Sequence, residues 1–307
     1  MNKFAPSALT VSAPGKIHLL GEWSVVWGKP AILAAVDLRV AAAISKSSSN
    51  SHPLKEVIEP IVKKELNIKK IPSYNLKITS DIPIGAGLGS SAAVSAASIA
   101  ALLSFLKVKW DLKLVNKLAY EAEKIFHGNP SGGDNLTVVY GGLVWFTRTN
   151  SEKLNLGGFR KLAKNFVMIN TGTPKETTKQ MIEMVSKQFT VHGSRFKKFL
   201  DHQEQLVREL LPAIKNGNEK ELIRIIRAGE KNLEGIGVVS PYVKSIIGKI
   251  EKAGGAGKIC GAGGKEKATG VLLCYHPKKE ILEKIAKSYN LDCFNTKLGV
   301  GGLKNES

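Results

Sequence analysis

Apolar and polar positions divide the chain into a strand-rich first half and a helix-rich second half. Leu9 to Val11, Ala31 to Leu38 and Ala41 to Ser45 are short apolar runs that predict strands, and residues 75–79 alternate as a half-buried strand does. Lys46 to Pro53 reads as a polar loop. Ala92 to Leu106 is apolar on nearly every side, which predicts a helix inside the domain rather than on it, with Ser91, Ser95 and Ser98 sharing one face. A second helix is predicted from about Leu112 to Phe126. Leu118, Ala122, Ile125 and Phe126 form its apolar stripe, Glu123 borders that stripe, and Gly128-Asn-Pro130 ends it. β-rich text resumes from Leu136 to Thr147, and Asn165 to Asn170 reads as another strand. Amphipathic periodicity then predicts helices near 176–189, 194–215, 218–232 and 240–253, strands near 257–260 and 270–275, a helix near 278–288 and a final strand near 293–299. This is α+β order, with a soft boundary near 165–170 and no internal repeat or low-complexity linker. The last polar residues before the C-terminus are expected to be loose.

Composition narrows the classes. With 307 residues, 43% hydrophobic and 23% charged, the chain can bury a substantial core. The apolar run Ala92 to Leu106 is shorter than the roughly 18 residues a membrane span needs, and serines interrupt it. Met1 to Thr10 has no apolar signal region, so no membrane partner is expected and the cytoplasm is the default compartment. Cys260, Cys274 and Cys293 form no C-x-x-C pair, which argues against a disulfide scaffold or structural zinc. The formal charge of +19 draws anions, but the lysines are scattered and aromatic content is only 7%, so no nucleic-acid partner is expected. Most of these lysines read as solvated surface.

The densest chemical signal is Asp81-Ile-Pro-Ile-Gly-Ala-Gly-Leu-Gly-Ser-Ser-Ala-Ala93, a glycine-rich loop running into an alanine-rich helix. The first-turn amides of a helix lack intrahelical partners and sit at the positive end of its dipole, so anions settle there. Gly85, Gly87 and Gly89 permit close backbone approach, and Ser90 and Ser91 supply hydroxyls for capping, phosphate or a metal ion. Taken alone, the same text also suits a packing turn with a serine N-cap. Neither a Walker loop nor a Rossmann fingerprint is present.

Three segments in order, Ala13-Pro-Gly-Lys-Ile-His-Leu-Leu-Gly-Glu22, the loop above and Lys258-Ile-Cys-Gly-Ala-Gly-Gly264, resemble the GHMP kinases. Tyr120 to Asn135, with Pro130-Ser-Gly-Gly-Asp-Asn135 at its end, and Asn170 to Thr177 resemble the mevalonate kinase branch of that family. The resemblance implies an α+β two-domain fold: a ribosomal protein S5 domain 2-like part over residues 1–167 and a ferredoxin-like part over 168–307, with the site in the cleft between them. It implies ATP and Mg2+ as cofactors and a small-molecule acceptor, mevalonate or a close relative, phosphorylated on its primary hydroxyl. Gly85, Gly87, Gly89 and Ser90, with Ser91, would clamp the triphosphate. Ser91 and Glu123 would hold the metal, and Asp134 with Lys16 would serve the attacking hydroxyl.

Glu22, Lys175, Thr177 and Gly263 are the expected acceptor contacts by the same resemblance. Other readings of single residues stand beside these: Asp134 as an Asx-turn residue, Lys16 as a loop lysine and Thr177 as part of a helix start. Phosphomevalonate, the 3-hydroxyl of mevalonate and a non-catalytic ligand sensor remain as alternatives, and a homodimer is left open. Two departures bear on the acceptor. Trp23 follows Glu22 where the family usually has histidine or tyrosine, and Gly263-Gly-Lys-Glu-Lys-Ala-Thr-Gly270 is longer and more charged than the family's glycine run.

Overall fold

A computed structural model describes residues 8–47, 52–83, 85–155, 157–191 and 193–306. The N-terminal residues through Ser7, part of the polar loop expected at 46–53, and Ser307 lie outside the described residues. The first half comprises β1 (Leu9–Leu20), β2 (Ala31–Lys46), α1 (Leu54–Leu66), β3 (Tyr74–Ser80), α2 (Ser90–Phe105), α3 (Leu112–His127), α4 (Gly133–Tyr140), β4 (Leu143–Phe146), β5 (Ser151–Leu154) and α5 (Phe159–Ala163). The second half comprises β6 (Phe166–Asn170), α6 (Thr178–Val191), α7 (Gly193–Lys215), α8 (Glu219–Gly235), α9 (Pro241–Lys252), β7 (Ala256–Ile259), β8 (Val271–Tyr275), α10 (Glu280–Ser288), β9 (Asp292–Asn295) and β10 (Lys304–Asn305).

Two sheets organise these elements. The first runs β10-β1-β2-β4-β5, with β3 also paired to β2, and the second runs β7-β8-β6-β9. Every pairing is antiparallel. Strand β1 is longer than its opening apolar run suggests. It continues through Pro14-Gly15 by means of a register shift against β2, and almost all of it is buried. Lys16, which taken alone reads as a loop lysine, is therefore on a buried strand.

Helix α2 lies against β1, β2 and α3. Its alanines are fully buried, as an all-round apolar pattern predicts, and their small side chains let neighbouring backbones come close. Helix α3 is capped by Asp111, whose carboxylate accepts from Leu114 N at 2.7 Å. Its buried stripe is Val115, Leu118, Ala119 and Ala122 at helical spacing, whereas the expected members Ile125 and Phe126 are exposed. Helix α4 replaces the strand-like text at its position. The β-branched Thr137, Val138 and Val139 are buried there, and Thr137 Oγ1 donates to Gly133 O at 2.8 Å, a bond available only to a helical backbone. Helix α1 is also unanticipated: it hides Leu54, Ile58 and Val62 beneath lysine-rich text that contains Pro60.

The C-terminal tail is tied down rather than loose. Gly142 N donates to Val300 O at 2.7 Å, Leu303 N to Val139 O at 3.0 Å, and β10 pairs with Val11 and Ser12. Arg39 adds bonds from its guanidinium to Gly302 O at 2.8 Å and Ser12 O at 2.9 Å. The tail thus fastens the end of α4 to the first sheet. Among the described residues no helix is long and apolar enough to cross a membrane.

Gly141 marks the tightest point of this fastening. Its φ is +67°, and a Cβ there would lie 2.1 Å from Gly302 N. Gly141→Ala should cost about 2–4 kcal/mol, since backbone strain and displaced backbone act together. Urea unfolding checks this; a cost within about 0.5 kcal/mol would show that the tail yields freely.

Candidate active site

The three glycine-bearing segments meet at one place. Lys16 N on β1 donates to Leu88 O at 2.9 Å, and Val271 N on β8 donates to Ala86 O. A Cβ on Gly87 would lie 2.4 Å from Cys260 O, and one on Gly261 would lie 2.9 Å from Gly87 Cα, so the second and third motifs touch backbone to backbone. Gly89 occupies the N-cap of α2 at φ +69°, with no side-chain cap and no acidic residue in the first turn. The positive end of this buried helix is therefore unmatched by any internal carboxylate of its own first turn. A Cβ on Gly89 would fall 2.7 Å from Lys16 Cγ, so glycine there also makes room for the lysine shaft.

Lys16 ends in an ion pair. Its Nζ is 3.0 Å from Asp134 Oδ2, with the lysine side chain 4% and the aspartate 32% exposed. Asp134 lies in the first turn of α4, after Gly132 at φ +92°, where the helix dipole favours a carboxylate. Glu123 and His127 sit one turn apart on α3. His127 Nε2 is 3.0 Å from Ser91 Oγ and 3.7 Å from Glu123 Oε2. Burial, reinforced by the nearby charge of Asp134, pushes the Glu123 carboxyl up to about 7 against the opposing pull of Ser91 and Lys16. Burial, then Lys16, lowers the His127 imidazole against the pull of Asp134, so the ring is neutral at neutral pH.

Glu123 Oε1 is buried without a hydrogen-bond partner, an expensive position for a carboxylate oxygen. A divalent cation would satisfy it. A carboxylate and a hydroxyl suit Mg2+, which keeps much of its water, and among the described residues no group of three or more His, Cys, Asp or Glu is placed to hold a metal of denser ligation. His127 was missing from the sequence-derived site. Its signal was its position four residues after Glu123, which places both on one helix face.

The expected acceptor contacts lie differently. Glu22 is buried in an ion pair with Lys258, whose Nζ also donates to His18 O at 3.2 Å and Ile259 O at 2.8 Å. Lys175 is exposed and paired with Glu266. Thr177 caps α6: its Oγ1 accepts from Gln180 N at 3.2 Å, and its own N donates to Gln180 Oε1 at 2.8 Å. Gly263, at φ +75°, packs so closely on Val238 O that a Cβ would lie 2.1 Å from it. Trp23 takes φ +65° and buries its ring in the second core, stacked on Trp27 at 6.3 Å between centroids.

The GHMP kinases N terminal domain model matches residues 53–142. The mevalonate kinase of Archaeoglobus fulgidus is 30% identical over 267 residues, covering 83% of this chain and 89% of the relative. That of Pyrococcus furiosus is 30% identical over 293 residues, covering 82% and 86%. Among solved structures, the Methanococcus jannaschii mevalonate kinase superposes with a TM-score of 0.78 at 22% identity, covering 96% of this chain and 99% of that one. The fold is that of the GHMP kinases. Within that class, the chain belongs to the mevalonate kinase family.

Behind the site, Glu230 of α8 accepts from Ile259 N at 3.1 Å. Burial pushes its carboxyl up to about 8, with Lys258 opposing. Between the ordinary value of 4.5 and about 8 the native state keeps a proton that the unfolded chain releases, so stability falls as pH rises through this window. Glu230→Gln keeps an acceptor for Ile259 and removes the titration. Its melting temperature relative to wild type should rise between pH 5 and pH 8, and a difference that does not change with pH would contradict this.

Proposed function

We propose that this chain phosphorylates mevalonate on its primary hydroxyl with ATP, giving 5-phosphomevalonate. The observation that carries the reading is the ion pair of buried Lys16 with half-exposed Asp134 beside the glycine-lined start of α2, in a chain about 30% identical to mevalonate kinases over most of its length. Residues 1–167 would supply the nucleotide loop and the ion pair, and residues 168–307 would supply the opposing wall. The enzyme would act in the cytoplasm on a soluble small molecule.

In this reading Gly85, Gly87, Gly89, Ser90 and Ser91 wrap the triphosphate with backbone amides and hydroxyls. Ser91 and Glu123 would hold Mg2+, which when bound offsets charge on the β- and γ-phosphates. Asp134, half open to the cleft, orients the acceptor hydroxyl and takes its proton, while the Lys16 ammonium beside it lowers the cost of the alkoxide and of the transferring phosphoryl oxygens. Of the expected acceptor contacts, Glu22 is buried and Lys175 is exposed. Glu22 would act through its partner Lys258, and Lys175 and Thr177 would meet the acceptor from the segment between β6 and α6.

ADP release should require mevalonate, and Asp134→Asn should lower kcat by at least about 100-fold. Turnover with phosphomevalonate, homoserine or galactose in place of mevalonate would contradict the acceptor assignment. Silence with all four would favour a ligand sensor.

A further inference from the structure

The head of Lys16 has a second neighbour that no role so far accounts for. His18 lies two residues further along β1, on the same side of the strand, and its Nδ1 is 3.4 Å from Lys16 Nζ. The ring is buried, and its Nε2 has no hydrogen-bond partner. Facing an ammonium, Nδ1 can only accept, so the ring proton is on Nε2. Burial, together with the charges of Lys16 and Lys258, holds the imidazole well below 6.5, which keeps it neutral at neutral pH. The backbone of the same residue accepts from Lys258 Nζ at 3.2 Å. His18 therefore sits between two buried lysines and engages each through a different atom.

An ammonium has three donors. Asp134 takes one at 3.0 Å, and His18 Nδ1 lies in reach of a second. The lysine shaft is fixed against Gly89. With two donors engaged, the direction of the third follows. A carboxylate in the place of His18 would hold the ammonium equally well but would cancel the charge that phosphoryl transfer uses, and an apolar side chain would leave the head free to rotate about its bond to Asp134. A neutral acceptor does neither.

We propose that His18 is a positioning residue for phosphoryl transfer, whose Nδ1 accepts from Lys16 Nζ and aims the remaining ammonium N–H at the transferring phosphoryl group. The inference rests on the assignment of Lys16 and Asp134 to that reaction. The test compares wild type, His18→Leu, His18→Asn and Lys16→Met in ADP release with ATP, Mg2+ and mevalonate. His18→Leu should lower kcat about 10- to 100-fold, as a misaimed group does, with both KM values within about threefold of wild type. His18→Asn, whose Oδ1 falls where Nδ1 was, should recover most of the loss and keep the shape of the pH–rate profile.

Leucine suits the buried position at least as well as asparagine, so loss of folding would rank the two variants in the opposite order. Equal or better turnover by His18→Leu than by His18→Asn overturns the proposal. So does loss of a limb of the pH profile in His18→Asn, which would make the imidazole a proton carrier. Full turnover by Lys16→Met would remove the underlying assignment itself, whereas an inactive Lys16→Met beside a fully active His18→Leu would remove only the role of His18.

Discussion

The bond between Lys16 and Asp134 joins a strand of the first sheet to the first turn of a short helix packed on it. Burying an ammonium is expensive unless its charge and donors are matched, so the surrounding structure is arranged around that match. Gly89 makes room for the lysine shaft, and the same glycine is the N-cap of α2, where no side chain caps the helix. At its far end α4 is fastened by the C-terminal tail, which fixes where Asp134 stands. Burial and the charge of Asp134 push the Glu123 carboxyl up to about 7, with Ser91 and Lys16 opposing.

A second buried charge system lies behind the first. Lys258 is satisfied by Glu22 and by two carbonyls, and Glu230 holds the amide of the following residue. These groups link β1, β7 and α8, so side chains bind the first motif to the third, while the close approach of Gly87 and Gly261 joins the second to the third. Replacing such a network with apolar residues would not necessarily weaken the fold, but removing one member would leave an unpaired charge.

The sequence made the glycine loop, the buried helix after it and the order of the second half legible, because those features rest on local periodicity and on the special conformations of glycine. Asp134 and Lys16 were singled out by resemblance, and their contact is a tertiary fact. Helix α4 was misread as strand because Thr137, Val138 and Val139 favour strands locally, and packing against α2 and α3 overrides that preference. The exposure of Ile125 and Phe126 reflects where α3 stops being covered, which periodicity does not encode. The helix-start position of Thr177 was legible in the text, whereas the pairing of Glu22 with Lys258 joins residues far apart in sequence and leaves no local pattern.

The account stands on Lys16 and Asp134 acting as one unit, and a double-mutant cycle on kcat tests that directly. With Lys16→Met, Asp134→Asn and the combined variant, the double mutant should be about as slow as the slower single mutant, because either change alone dismantles the same pair. Losses that multiply would contradict the account and mean that the two residues serve the reaction separately.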